Sequence, residues 1–328
     1  MKIAILDDYQ DAIRTLECFP LLEGHDVKVF TNSSRGLGQL AIRLAPYDAL
    51  VLIRERTAFS AALLAKLPNL KLISQTGKLA GHVDVAAATR QGIAIAEGVG
   101  SPVAPAELTW ALIMAASRKI VPYASNLKDG LWQIASIHPP FNGLGRVLKG
   151  RTLGIWGYGN IGKLVAGYAE AFGMTVLVWG SDASRAAAQA DGRQAAASRA
   201  AFFEQADVLT LHLRLAVATR GIVTADDLAR MKPDALFVNT SRAELVAEGA
   251  LEDGLKKGHP GMAAVDVFTS EPLPLDAPLL KMPMVLATPH VGYVEKDSYE
   301  LYFGAAFRNV VNFANGNPSG ILNTEVLK

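Results

Sequence analysis

Short runs of aliphatic and β-branched residues alternate along the chain with longer Ala- and Leu-rich stretches whose apolar positions recur at helical spacing. That rhythm predicts strands joined by crossover helices, an α/β chain with parallel sheets. A first series of strands is predicted at 2–6 (KIAIL), 26–30 (DVKVF), 48–53 (DALVLI), 71–75 (KLISQ) and 93–97 (IAIAE), with helices at 61–67 and 83–92. A second series runs through 152–156 (TLGIW), 175–179 (TVLVW), 208–213 (VLTLHL), 235–240 (ALFVNT), 262–267 (MAAVDV) and 285–289 (VLATP). Between the series, residues 101–120 open on Ser-Pro and carry a long apolar face, so one helix joining two domains is expected. The stretch after it is punctuated by Gly130, Pro139, Pro140, Gly143, Gly145 and Gly150 and is expected to be an irregular surface excursion. Residues 296–316 return to helical spacing, with too little chain beyond them for a third domain.

Length and charge narrow the class. A single core stops growing at about 250 to 300 residues, so two domains are expected of 328 residues. Thirty-two Lys and Arg against 31 Asp and Glu leave a net charge of +1, which gives no strong field to gather nucleic acid or an anionic membrane. The apolar run before Asp7 and Asp8 is too short for a signal peptide or a membrane span, and a soluble cytoplasmic protein is expected. Cys18 is the one cysteine, which excludes an internal disulfide and a multi-thiolate metal site; it reads as a packed small side chain, and no metal is expected.

Chemistry enters at WGYGNIGK, residues 156–163. A strand, then Gly157-x-Gly159-x-x-Gly162, then a helix starting near Lys163 is the dinucleotide-binding pattern. The first glycine makes the tight turn, the second admits a pyrophosphate, the third lets helix and strand approach, and the helix N-terminus faces the anion. The pattern also expects an acid at the tip of the next strand to take the ribose hydroxyls. Here the tip carries Gly180, followed by Ser181 and Asp182. A missing carboxylate removes the repulsion that excludes a 2′-phosphate, and Ser181 with Arg185 offers such a phosphate a site, which tilts the reading from NAD toward NADP. The other readings have Asp182 turn back to the ribose, or Arg185 stand as a solvated helix residue.

Hydride transfer to a carbonyl needs a proton donor, a group that holds the donor in one tautomer, and a cation that fixes the substrate. Arg242 in NTSRAELV, Glu271 in DVFTSEPL and His290 in ATPHVGY fit these roles. All three fall at or just past the carboxyl ends of predicted strands, where an open α/β sheet gathers its ligands.

The order GYGNIG, NTSRAELV, DVFTSEPL, TPHVGY resembles the D-isomer-specific 2-hydroxyacid dehydrogenases along nearly the whole chain. The resemblance implies that Arg242 binds the substrate carboxylate and carbonyl, that Glu271 hydrogen-bonds the catalytic His290, and that Asp266 contacts the nicotinamide end. It also implies NAD(P) contacts from Tyr158, Asn160, Ile161, His212, Thr240 and Ser241. The implied fold is two doubly wound parallel-sheet domains: a flavodoxin-like substrate domain, 1–101 plus 293–328, interrupted by a Rossmann domain at 102–292. That insertion accounts for a glycine-rich turn at mid-chain. The crossings near Ser101 and Tyr293 are then hinges, and the cofactor domain is expected to form a homodimer, partly through the helix 102–120. The loop 76–81 resembles the family's carboxylate cradle, with Lys78, Leu79 and Ala80 as candidates, and Arg54 and Arg56 either select a second anionic group or form a solvated charged turn. The implied reaction reduces a small-molecule 2-oxo acid to a D-2-hydroxy acid. Ala243, Ala247 and Arg214 depart from the family's usual Gly, Asp and Pro, which loosens the subfamily assignment. Formate or phosphite oxidation on the same scaffold, and a non-catalytic cofactor sensor similar to dehydrogenase-like corepressors, stand as alternatives.

Overall fold

The computed structural model describes residues 1–327, and the chain divides into two compact units. The first comprises Met1–Ser101 and the segment from Val294 onward; the second is Pro102–Tyr293.

In the first unit β1 (Lys2–Ile5), β2 (Asp26–Val29), β3 (Ala49–Leu52), β4 (Leu72–Gln75) and β5 (Ala94–Ala96) form one sheet in the order β2-β1-β3-β4-β5. Every pairing is parallel. β3, β4 and β5 are buried along their whole length, the pattern of strands covered on both faces, whereas the edge strand β2 is mostly exposed. The strand order reverses between β1 and β3, a switch point of the flavodoxin-like kind.

The helix Lys296–Ala314 covers one face of this sheet. Its Ala306 carbonyl accepts Ser74 Oγ from β4 at 2.9 Å, and Phe303 and Phe307 are fully buried. Beyond it the chain closes the β5 edge. Asn323 Oδ1 accepts the Ile95 N–H at 2.8 Å, and its Nδ2 donates to the Ile93 carbonyl at 2.9 Å. An edge that would otherwise offer unpaired backbone groups is thereby satisfied.

In the second unit β6 (Thr152–Trp156), β7 (Thr175–Trp179), β8 (Gln194–Ala195), β9 (Val208–Leu211), β10 (Leu236–Asn239), β11 (Met262–Val265) and β12 (Val285–Ala287) are ordered β12-β11-β10-β9-β6-β7-β8. This too is parallel throughout and has the Rossmann strand order, reversing between β6 and β9. One core contains Val165, Ala166 and Ala169 of the helix after β6, together with Leu112 and Ile113 of the long helix Val103–Ser117. The other is centred on Phe202, Phe203 and Phe237.

Four expectations need correction. The helix expected over 101–120 is Val103–Ser117, ended early because Lys119 takes a left-handed conformation with φ of 52°, and a second, unexpected helix, Ile120–Lys128, follows it. The break is held by the later excursion: Arg146 N–H donates to the Ser117 carbonyl at 2.7 Å, and Lys119 Nζ donates to the Phe141 carbonyl at 2.9 Å. β8 is a two-residue strand that no apolar run announces. The helices expected at 61–67 and 83–92 shorten to Ala61–Leu64 and Val85–Arg90, begun by Ser60 and Asp84 side-chain caps. The helix after the glycine-rich turn starts at Asn160, earlier than Lys163. Among the described residues no helix is long and apolar enough to cross a membrane, and no cluster of three metal-ligating side chains forms.

Candidate active site

The glycine-rich turn shows why each glycine stands where it does. Gly157 has φ of 103°, and a Cβ there would come 2.5 Å from the His212 carbonyl oxygen. A Cβ on Gly162 would collide with the Gly157 carbonyl, so only glycine lets the helix Asn160–Ala171 sit this close to β6. At Gly159 a Cβ would meet nothing within 4 Å. No side chain caps this helix, so its first-turn N–H groups remain for an anion. Open space above Gly159 and uncapped amides beside it fit a dinucleotide pyrophosphate. Asn160 is exposed and Ile161 half-buried at the helix start. Tyr158 is buried below the turn; its N–H donates to Ser184 Oγ at 3.0 Å and its hydroxyl to Asp191 at 2.9 Å.

At the β7 tip Gly180 has φ of 151°. Ser181 caps the helix Asp182–Ala190 by accepting the Ser184 N–H at 3.3 Å. Arg185 is ion-paired with the exposed Asp182, and its guanidinium lies 4.8 Å from the Trp179 ring centroid. The serine and arginine expected to take a phosphate therefore already have partners, and the acid weighed for the ribose is one of them.

The remaining residues meet at the carboxyl ends of β9 to β12. Ser241 Oγ donates to the Leu211 carbonyl at 2.7 Å, tying the end of β10 to that of β9, and Thr240 Oγ1 bonds Thr109 Oγ1 at 2.7 Å. Asn239, buried and overlooked in the sequence, fixes the following turn from both sides: its Oδ1 accepts the Ser241 N–H at 3.0 Å and its Nδ2 donates to the Arg242 carbonyl at 2.9 Å. Arg242 Nη1 donates to the Ser241 carbonyl at 2.6 Å. His212 lies beside Thr210 with Nε2 to Oγ1 at 3.2 Å, and burial pushes its imidazole down to about 4, so the ring is neutral near pH 7.

Asp266 is fully buried and organises the turn that carries His290. It accepts Thr288 Oγ1 at 2.6 Å, the Val291 N–H at 2.9 Å and the Gly292 N–H at 2.8 Å. Burial raises its pKa against the opposing pull of those donors. The clamp holds His290 in a left-handed conformation with φ of 52°, the kind of local strain a surrounding network must support.

His290 Nδ1 lies 2.6 Å from Glu271 Oε2, while Glu271 Oε1 accepts the Phe268 N–H at 2.9 Å. Burial alone would raise the Glu271 carboxyl. The His290 bond and charge, the Phe268 amide and the nearby Arg242 charge together hold it below its ordinary value. Glu271 is therefore ionised and acceptor-only, which places a hydrogen on Nδ1 and leaves Nε2 as the nitrogen that exchanges protons. The imidazole packs edge-on to Tyr293, with ring centroids 5.6 Å apart. Arg242, Glu271 and His290 are thus brought together within one unit.

The first unit holds the other candidates. Arg54 has φ of 50°, and its N–H donates to Thr76 Oγ1 at 3.0 Å. Arg56 Nη1 donates to the Asp7 carbonyl at 2.6 Å and its guanidinium lies 4.8 Å from the Tyr9 ring centroid. Lys78 Nζ and the Leu79 N–H both donate to Glu97, at 3.0 and 2.8 Å. Ala80 is exposed beside them. Glu97 had no motif to mark it; its only signal is an acid directly after a buried strand.

Comparison with known proteins identifies the family. The profile of the D-isomer specific 2-hydroxyacid dehydrogenase NAD binding domain matches residues 110–292. The D-3-phosphoglycerate dehydrogenase of Methanocaldococcus jannaschii is 33% identical over 329 residues, covering 96% of this chain, which in turn spans 60% of that protein. The glyoxylate reductase of Aeropyrum pernix is 35% identical over 269 residues, 81% of this chain and 80% of its own length. Among solved structures, a phosphoglycerate oxidoreductase from Vibrio cholerae O395 is 59% identical with a TM-score of 0.93, covering 96% of this chain and 99% of that one. From the strand orders, the glycine-rich turn and these likenesses, the chain belongs to the D-isomer specific 2-hydroxyacid dehydrogenase family.

Proposed function

We propose that the protein interconverts a 2-oxo acid and the corresponding D-2-hydroxy acid with a nicotinamide cofactor, NADP in preference to NAD. The observation that carries this reading is the 2.6 Å contact between His290 Nδ1 and Glu271, which leaves Nε2 to transfer the proton, with the Arg242 charge near the same carboxylate. A nicotinamide cofactor, its pyrophosphate held at the glycine-rich turn by the amides at the start of the helix Asn160–Ala171, would supply or accept the hydride at the substrate's second carbon.

In the reducing direction His290 Nε2 gives its proton to the carbonyl oxygen, and the Glu271 carboxylate stabilises the imidazolium before that transfer. Arg242 pairs with the substrate carboxylate and polarises the carbonyl through a planar fork that lysine does not reproduce. Thr240 and Ser241 would flank the nicotinamide. Asp266 acts by holding the His290 turn. Within the first unit, Arg54, Arg56 and the 78–80 loop are the candidates to bind an acid. The cofactor preference is supported by Gly180 at the β7 tip, which presents no carboxylate; Arg185, ion-paired with Asp182, would exchange that partner for the 2′-phosphate. We further propose that two copies associate through the second unit, which exposes Ile120, Leu127, Trp132, Ile137 and Leu144 on the helix Ile120–Lys128 and the excursion after it.

Turnover of glyoxylate, hydroxypyruvate, phenylpyruvate and dicarboxylic 2-oxo acids, each with NADPH and NADH, tests the reading. Expected are consumption of reduced cofactor with at least one acid and a loss of about 10²- to 10⁴-fold in His290→Ala. Tighter binding of NADPH is also expected, with the gap narrowed in Arg185→Ala. Oxidation of formate or phosphite without turnover of any 2-oxo acid would replace the reaction. Equal affinity for the two cofactors would remove the NADP preference.

A further inference from the structure

In the first unit the loop after β4 and the turn after β5 are pressed together. The Gly98 N–H donates to the Gly77 carbonyl at 2.9 Å, and a Cβ on Gly98 would lie 2.8 Å from both Gln75 O and Gly77 N. Glu97 is anchored from behind: its N–H donates to the Gly320 carbonyl at 2.9 Å, and its carbonyl accepts Asn309 Nδ2 at 3.0 Å. With the backbone fixed, the side chain reaches forward. Oε1 accepts the Leu79 N–H at 2.8 Å and Oε2 accepts Lys78 Nζ at 3.0 Å.

A backbone amide and an ammonium from one loop thus converge on one carboxylate. Donors so arranged recognise a small acid, each through a charge-assisted bond. Here the protein's own side chain takes both. The Arg54 guanidinium packs over Gly77 beside them, where a Cβ would collide with it, so a third donor, and a second cation, borders the same spot.

We propose that Glu97 is an internal carboxylate that competes with the substrate's for Lys78 and the Leu79 amide, and thereby sets how tightly acids are admitted. This rests on the reading that the 78–80 loop receives substrate. An entering acid must displace Glu97 or share its donors, so the side chain lowers affinity for every anion that binds there.

The test compares the unmodified chain with Glu97→Gln and Glu97→Ala, following KM and kcat for the 2-oxo acid turned over and the binding of oxalate, an unreactive acid, by titration calorimetry. Replacing a charge-assisted bond by a neutral one, or by none, is expected to lower KM and the oxalate Kd by about five- to ten-fold while kcat changes less than about two-fold. Unchanged oxalate affinity would overturn the proposal. So would weaker binding in either variant, since Glu97 would then be a brace that shapes the loop for its ligand. The glutamine variant keeps an acceptor for the Leu79 N–H, so it carries the comparison should Glu97→Ala fail to fold. Calorimetry with oxalate needs no turnover, so absence of any 2-oxo acid reduction would count against the reaction and leave this result readable.

Discussion

Because an ionised carboxylate only accepts hydrogen bonds, Glu271 decides which nitrogen of His290 carries hydrogen, and Asp266 decides where the ring stands. The two acids differ through their surroundings. For Asp266 burial outweighs its donors and the His290 charge and its pKa rises; for Glu271 burial is outweighed by the imidazole and guanidinium charges and its pKa falls. The sequence points to Glu271 and His290 because each follows a strand end. The clamp made by Asp266 was beyond its reach, since it depends on which N–H groups a left-handed residue turns inward.

His212 gives this scale a pH test. Its imidazole is lowered from 6.5 to about 4 by burial. Between those values the unfolded chain binds a proton that the folded chain refuses, so stability falls as pH drops through that window. Glu271 adds a loss of the same sign at lower pH, because a depressed carboxyl contributes stability above its ordinary value that disappears as pH falls through the folded one. Urea unfolding of His212→Gln at about pH 7 and about pH 4.5 is expected to show a smaller drop than the parent. Equal drops would mean that His212 titrates normally in the folded chain.

At the scale of elements, glycines in one turn separate folding from binding. Gly162→Ala drives a Cβ into the Gly157 carbonyl and is expected to destabilise the chain by about 1 to 3 kcal/mol. Gly159→Ala meets open space and should change stability by less than about 0.5 kcal/mol. The same alanine stands where the pyrophosphate would approach, so a rise of about ten-fold or more in cofactor Kd is expected. Thermal melts and cofactor fluorescence titrations check both. A Gly159→Ala chain that binds normally would leave that space without a ligand role. Long apolar runs made most strands readable, whereas Gln194–Ala195 pairs at an edge with no run to mark it. The break at Lys119 was hidden for another reason. Left-handed residues are usually glycine or asparagine, and here residues 141 and 146, more than twenty positions later, impose the bend.

At the scale of the whole molecule, the two strand orders follow from alternation of strand and helix, and crossovers of consistent hand leave few other arrangements. Association is a separate matter, decided by surface. Trp132 is 73% and Leu144 88% exposed in a region that also presents Ile120 and Leu127. Patches of this kind mark contact surfaces. Sedimentation velocity is expected to show a dimer for the parent and a monomer for Trp132→Ser combined with Leu144→Ser; a monomeric parent would overturn the proposed association.

The segment from Val294 onward completes the first sheet, covering β4 and closing the edge of β5. On the ribosome that order of residues has a cost in time. Every residue of the second unit is synthesised before this segment begins, so the inserted unit is free to fold while the earlier strands still wait for their last helix. The face that this helix covers, translated among the first strands, is therefore the last part of the first unit to be buried.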